Sequence, residues 1–133
     1  MGRLGSADAK QFIFDFFSSY GRDLLRGDED AGVIVDRYHT PDIVQIADGQ
    51  RMHRDQLIAH SRPLRKRQPR SRMEVHDAVA DDDRIAARYT LHVEDRRRTF
   101  AIEVYFFGQF TADGRLRRAH MLTRTLPDPS ETP

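Results

Sequence analysis

The stretch "TFAIEVYFFGQF", residues 99–110, sets the tightest limit on what this chain can fold into. Its apolar residues recur at period two, which makes it a strand with two distinct faces. Ile102, Val104 and Phe106 share one face, and Glu103, Tyr105 and Phe107 share the other. The first face belongs in a core. The second is amphipathic rather than polar, and Phe110 adds a further ring near the strand end. An aromatic surface on the outside of a sheet calls for a cover, so the expectation is a homodimer packed sheet to sheet. The segment from Ile85 to Glu94 alternates in the same way, with Tyr89, Leu91 and Val93 inward. His92, Glu103 and Tyr105 then share the outer face, where cross-strand pairing at an interface is the plain reading and a His/Glu site the sharper one.

The first third of the chain has a different period. Phe12, Ile13, Phe16, Phe17, Tyr20 and Leu24 recur three and four apart, one stripe of a helix that Ser6 can cap and Gly27 can close. Asp28 or Asp30 can cap a shorter helix through Val33, Ile34 and Tyr38, which Pro41 ends. Asp42 to Ala47 reads as a strand followed by the turn pair Asp48–Gly49. A third helix is expected from Arg54 to Leu64, stopped in the region of Pro63 to Pro69. Further strands are expected at 73–80, 85–94, 99–110 and 116–126, and the Pro-bearing residues 127–133 read as a disordered tail. Helices first and then a meander of long strands make one α+β domain over residues 6–126.

Composition removes several function classes. With 133 residues there is room for one real core. There is no cysteine, which excludes disulfides and thiolate chemistry. No apolar run is long enough for a membrane span, and no basic segment with an apolar run opens the chain, so a cytoplasmic location is the expectation. Twenty-two basic against 21 acidic side chains leave a net charge of +1, and nucleic-acid binding is not expected. The run "RPLRKRQPR", Arg62 to Arg70, reads first as solvated positive charge behind a helix C-terminus. The histidines stand at 39, 53, 60, 76, 92 and 120, with no familiar ligand spacing, so neither a metal nor a cofactor is expected.

The order of elements, with "YHTPDIV", "FFGQFTADGRLRRA" and the "DG" turn before the last strand, resembles the NTF2-like superfamily, in particular its SnoaL-like polyketide cyclase and ketosteroid isomerase branch. The resemblance implies a cone, a strongly curved antiparallel sheet wrapped around the N-terminal helices and enclosing an apolar pocket. It implies an acid–base isomerase, cyclase, dehydratase or hydrolase acting on an apolar or polycyclic metabolite such as a polyketide. The alternative is a non-catalytic binder or structural homodimer on the same fold. In ketosteroid isomerases an oxyanion tyrosine precedes the helix-ending glycine by seven residues, as Tyr20 precedes Gly27. The position matching the general base is about Ile46, and that matching the second oxyanion group is Phe106. Neither can exchange a proton, so steroid isomerisation by that mechanism is not expected. SnoaL-type cyclases use an aspartate and a histidine, and here the last strand offers His120, Thr123 and Arg124. The direction of His120 depends on a register that the sequence leaves open. Epoxide hydrolases of this fold use Asp-Arg-Asp, for which Asp42, Asp48 and Arg88 or Arg117 supply the types.

The candidate catalytic residues are therefore Tyr20, Asp48, Asp42 and His60, with His39 a further acid–base candidate. Tyr38, Ile46, Tyr89, Leu91, Phe106, Met121 and Thr123 are the candidate substrate-binding residues. Tyr20 leads, because a tyrosine in an apolar pocket needs a partner for its hydroxyl.

Overall fold

The structure, a computed structural model, describes residues 6–127 apart from Arg97. The elements run α1 (Ser6–Arg26), α2 (Ala31–Tyr38), β1 (His39–Ala47), β2 (Gln50–Met52), α3 (Arg54–Arg67), β3 (Arg70–Asp81), β4 (Arg84–Asp95), β5 (Arg98–Phe110) and β6 (Leu116–Thr125). Most of the expected tail lies outside the described residues.

Local chemistry explains the helix boundaries. The Asp30 carboxylate accepts from the Gly32 N–H at 3.2 Å and caps α2. Tyr38 ends that helix and His39 is already extended, so the chain passes from α2 into β1 without a loop. Pro63 does not stop α3, which continues to Arg67 and closes at Gln68 in the left-handed region. Most of the basic run is solvated, with Arg62, Lys66, Arg67 and Arg70 exposed, but Arg65 and Gln68 act as a clamp. Arg65 donates to the backbone carbonyls of Leu24 (2.7 Å) and Glu29 (2.8 Å), and the Gln68 amide donates to that of Leu25 (2.6 Å). These bonds satisfy carbonyls in the last turn of α1 and in the α1–α2 connection and tie α3 to both.

The expected cone is not formed. The strands lie in the order β2-β1-β6-β5-β4-β3 as one open sheet, with β2 and β3 at its free edges. The sheet is mixed, since β1 runs parallel to β6 while all other pairs are antiparallel. A strongly curved, wholly antiparallel sheet curled around the helices is thus replaced by an open, uncurled mixed sheet with helices on one face. β2 and α3 separate β1 from the β3–β6 meander, and the last strand of that meander returns beside β1 in parallel. Closure would require the edge strands to meet, and they lie five pairings apart.

The core sits between that face and the helices. Ile13, Phe16, Ile43, Ile85, Tyr89, Val104, Phe106, Phe110 and Leu116 are buried in it. Several of its aromatic rings meet edge to face, an arrangement their quadrupoles favour. Phe12 and Phe16 each cross Phe110, at 4.9 and 5.2 Å, and Phe17 crosses Phe106 at 5.3 Å. Gly108 makes this possible: a Cβ there would collide with Phe106 Cζ and lie 2.6 Å from its Cε1. The ring cannot swing aside, because Phe17 crosses it. Gly108→Ala is therefore expected to cost about 1–3 kcal/mol by overpacking. Urea unfolding checks this, and an unchanged midpoint would show that the ring has room.

Candidate functional site

Tyr20 projects from α1 toward the α2–β1 junction. Its ring lies 5.2 Å from that of Tyr38 and 5.0 Å, edge to face, from that of His39. Burial pushes the Tyr20 phenol up to about 12, so it stays protonated at any physiological pH. The Tyr38 hydroxyl is committed to the Asp23 carboxylate at 2.6 Å, and burial, then that bond, raises its pKa to about 12.

His39 is 2 % exposed at the start of β1. Its Nδ1 lies 2.8 Å from the Val35 carbonyl oxygen, an acceptor only, so Nδ1 carries the proton and donates. Nε2 is thereby left with its lone pair. Burial lowers the His39 pKa, which keeps the ring neutral. Among the described residues, neither Nε2 of His39 nor the Tyr20 hydroxyl has a hydrogen-bond partner. A donor and an acceptor thus stand on adjoining rings in apolar surroundings. Sequence reading had named both residues but had not paired them, because 19 positions separate them and only the α1–α2 packing brings them together.

The remaining candidates are dispersed. Asp48 occupies the β1–β2 turn at φ 52°, ahead of Gly49 at φ 82°. Its carboxylate accepts from the Thr123 N–H at 2.7 Å and the Thr123 hydroxyl at 2.5 Å, bonds that hold it below the usual carboxylate range and fasten the turn to β6. Asp42 on β1 and His60 on α3 are exposed. Arg88, the possible partner of Asp42 and Asp48, instead pairs with Asp77 at 2.9 Å and Glu103 at 3.3 Å. Tyr89 and Phe106 are buried at the centre of the core, and burial raises the Tyr89 phenol. Leu91 and Met121 are half-buried against the same core.

Ile46 lies on the other side of the sheet. Val79, Ala86, Phe107, His120 and Ile46 form one row across the outer face, which also settles the direction of His120. That row lines a groove of about 480 Å³. Val79, Tyr105, Phe107 and Leu122, each 46–65 % exposed, all project from this face. Glu103 is 8 % exposed beside them: burial alone would raise its carboxyl, but Arg124 and Arg88 outweigh burial and hold it low. His92 joins Glu74 rather than Glu103. Among the described residues no His, Asp and Glu group together in a way that could hold a metal ion, and no helix is long and apolar enough to cross a membrane.

With this architecture described, its class is clear: the family model of the SnoaL-like domain matches residues 23–119. The chain belongs to the SnoaL-like family, within the NTF2-like superfamily. No curated protein is significantly similar in sequence. Solved structures agree on the fold. An LEH-like epoxide hydrolase from M. tuberculosis shares 16 % identity at TM-score 0.63, covering 86 % of this chain and 84 % of that one. AusH from Aspergillus nidulans shares 10 % at TM-score 0.65, covering 90 % and 88 %. A conserved protein from Planctomyces limnophilus DSM 3776 shares 12 % at TM-score 0.63, covering 88 % and 97 %.

Proposed function

We propose that the chain is a cofactor-independent acid–base enzyme of the SnoaL-like type, acting on a small apolar or polycyclic metabolite such as a polyketide at the Tyr20–His39 pair. One observation carries this reading: a neutral phenol and a neutral imidazole stand on adjoining rings, and among the described residues neither the Tyr20 hydroxyl nor His39 Nε2 is taken up by a protein partner, so both are available to a substrate. Tyr20, neutral and unable to ionise below about 12, donates a hydrogen bond to a substrate oxygen as negative charge develops on it. His39, fixed as the Nδ1–H tautomer, takes the proton at Nε2. The reaction class is proton transfer beside a carbonyl, with isomerisation, cyclisation or dehydration as outcomes. The test is ¹⁵N NMR of the imidazoles during titration with cyclic enones and polyketide mimics. A binding enone should shift the His39 Nε2 signal. Binding that leaves His39 unmoved removes the reading.

A second reading is a homodimer whose role is binding or assembly, through the outer sheet face. It is favoured by the projection of Val79, Tyr105, Phe107 and Leu122 from a single face, an apolar surface of the sort that associates. The same face carries both signs of charge, Asp77 and Asp81 against Arg84, Arg118 and Arg124, so a second copy can complement it. Sedimentation velocity should give a dimer, and Phe107→Glu should give a folded monomer. A monomeric wild-type chain at high micromolar concentration eliminates the dimer.

A further inference from the structure

Gly21 lies in the interior of α1, where glycine is disfavoured relative to alanine, yet no packing constraint requires it. A Cβ built at this position meets no heavy atom within 4 Å. What the missing side chain leaves open is a groove of about 170 Å³ between α1 and the β3–β4 strands, bordered by Leu25, Met73 and Leu91. Arg22 and Arg26, one helical turn apart, also line it, together with Ser71. Among the described residues no acidic one lines it. Among the described residues neither Arg22 nor Arg26 forms an ion pair, as is also true of other arginines such as Arg51, Arg62 and Arg118, and Arg22 lies within electrostatic reach of Tyr38. Tyr20 turns toward α2 and β1, so this groove occupies another flank of α1 from the Tyr20–His39 pair.

We propose that this groove is a binding site for a compact amphipathic carboxylate. Its ring or branched chain rests on Leu25, Met73 and Leu91 over the space left by Gly21, and its carboxylate meets Arg22 and Arg26. Guanidinium matches carboxylate geometry through paired N–H donors, and an apolar floor beside two unpaired cations selects an anion that carries hydrocarbon. The volume is small for a ligand pocket, which limits the occupant to about one ring with its acid group.

The test uses the ¹⁵N-labelled full chain titrated with benzoate, and with benzyl alcohol as the neutral comparator. Benzoate should shift the Gly21, Ser71 and Leu91 amide signals saturably in the millimolar range, and benzyl alcohol should bind about tenfold more weakly. Gly21→Leu fills the groove and should abolish those shifts with the melting temperature retained. Arg22→Gln with Arg26→Gln should weaken benzoate by about tenfold, independently of any packing change. The proposal is overturned if benzoate gives no saturable shift, if the shifts map to Val79, Phe107 and His120 on the outer face, or if Gly21→Leu binds as the wild type does.

Discussion

Phe106→Ala should lower stability by about 3–5 kcal/mol, the range for removing a large buried aromatic side chain. Phe106 is 1 % exposed, and its ring is crossed by Phe17 at 5.3 Å and closed over Gly108. Neighbouring groups cannot collapse into the gap, because Phe106 and its strand partners are held by the β4–β5–β6 ladder. For a domain of this size the loss corresponds to a fall in melting temperature of about 10–20 °C. Urea denaturation read by circular dichroism and by thermal melting measures it. A loss under about 1.5 kcal/mol would mean that this part of the interior can repack. Phe106 stands at the position where the resemblance to ketosteroid isomerases called for an acid, so the experiment also measures how far this interior has become packing rather than pocket.

Tyr20→Phe should lower turnover about 10²–10³-fold on whichever enone or polyketide mimic the wild type converts, the usual cost of losing one oxyanion donor. The melting temperature should hold, since among the described residues no protein group accepts from that hydroxyl. The loss should fall on kcat rather than KM, because the bond strengthens only as charge develops. The pH profile supplies a second readout. The folded His39 pKa lies below its ordinary value of 6.5, so Nε2 is unprotonated throughout the neutral range and the rate should be flat there. The rate should fall only under acid conditions, below that ordinary value. Stability follows the same sign: below 6.5 the unfolded chain binds a proton that native His39 refuses, so His39's contribution is complete above 6.5 and declines as pH falls. His39→Gln should flatten both dependences. Wild-type turnover by Tyr20→Phe would end the enzymatic reading and leave the dimeric or binding role.

Much was legible from local pattern. The stripe from Phe12 to Leu24 produced α1, and the alternation of Ile102, Val104 and Phe106 against Glu103, Tyr105 and Phe107 assigned both faces of β5 correctly. Periods of 3.6 and 2 are written into neighbouring residues, so a sequence carries them openly. Boundaries were less secure: α3 runs past Pro63 to Arg67 because Gln68 and Arg65 hold its end through bonds to α1, contacts some 40 residues distant. Of the site, Tyr20 and His39 were visible only as single residues.

What the sequence by itself determined is an α+β chain of the SnoaL-like family, with one buried face and one apolar outer face on its sheet. Tertiary structure alone decided that the sheet stays open and mixed, that Ile46 and His120 share the outer side, that Thr123 takes up the Asp48 carboxylate, and that Tyr20 meets His39. The physical reason is range. Helix and strand periodicity is set by backbone geometry between near neighbours. Register, closure and the pairing of polar groups depend on which distant surfaces pack together, and a one-residue shift in register sends a side chain to the opposite face.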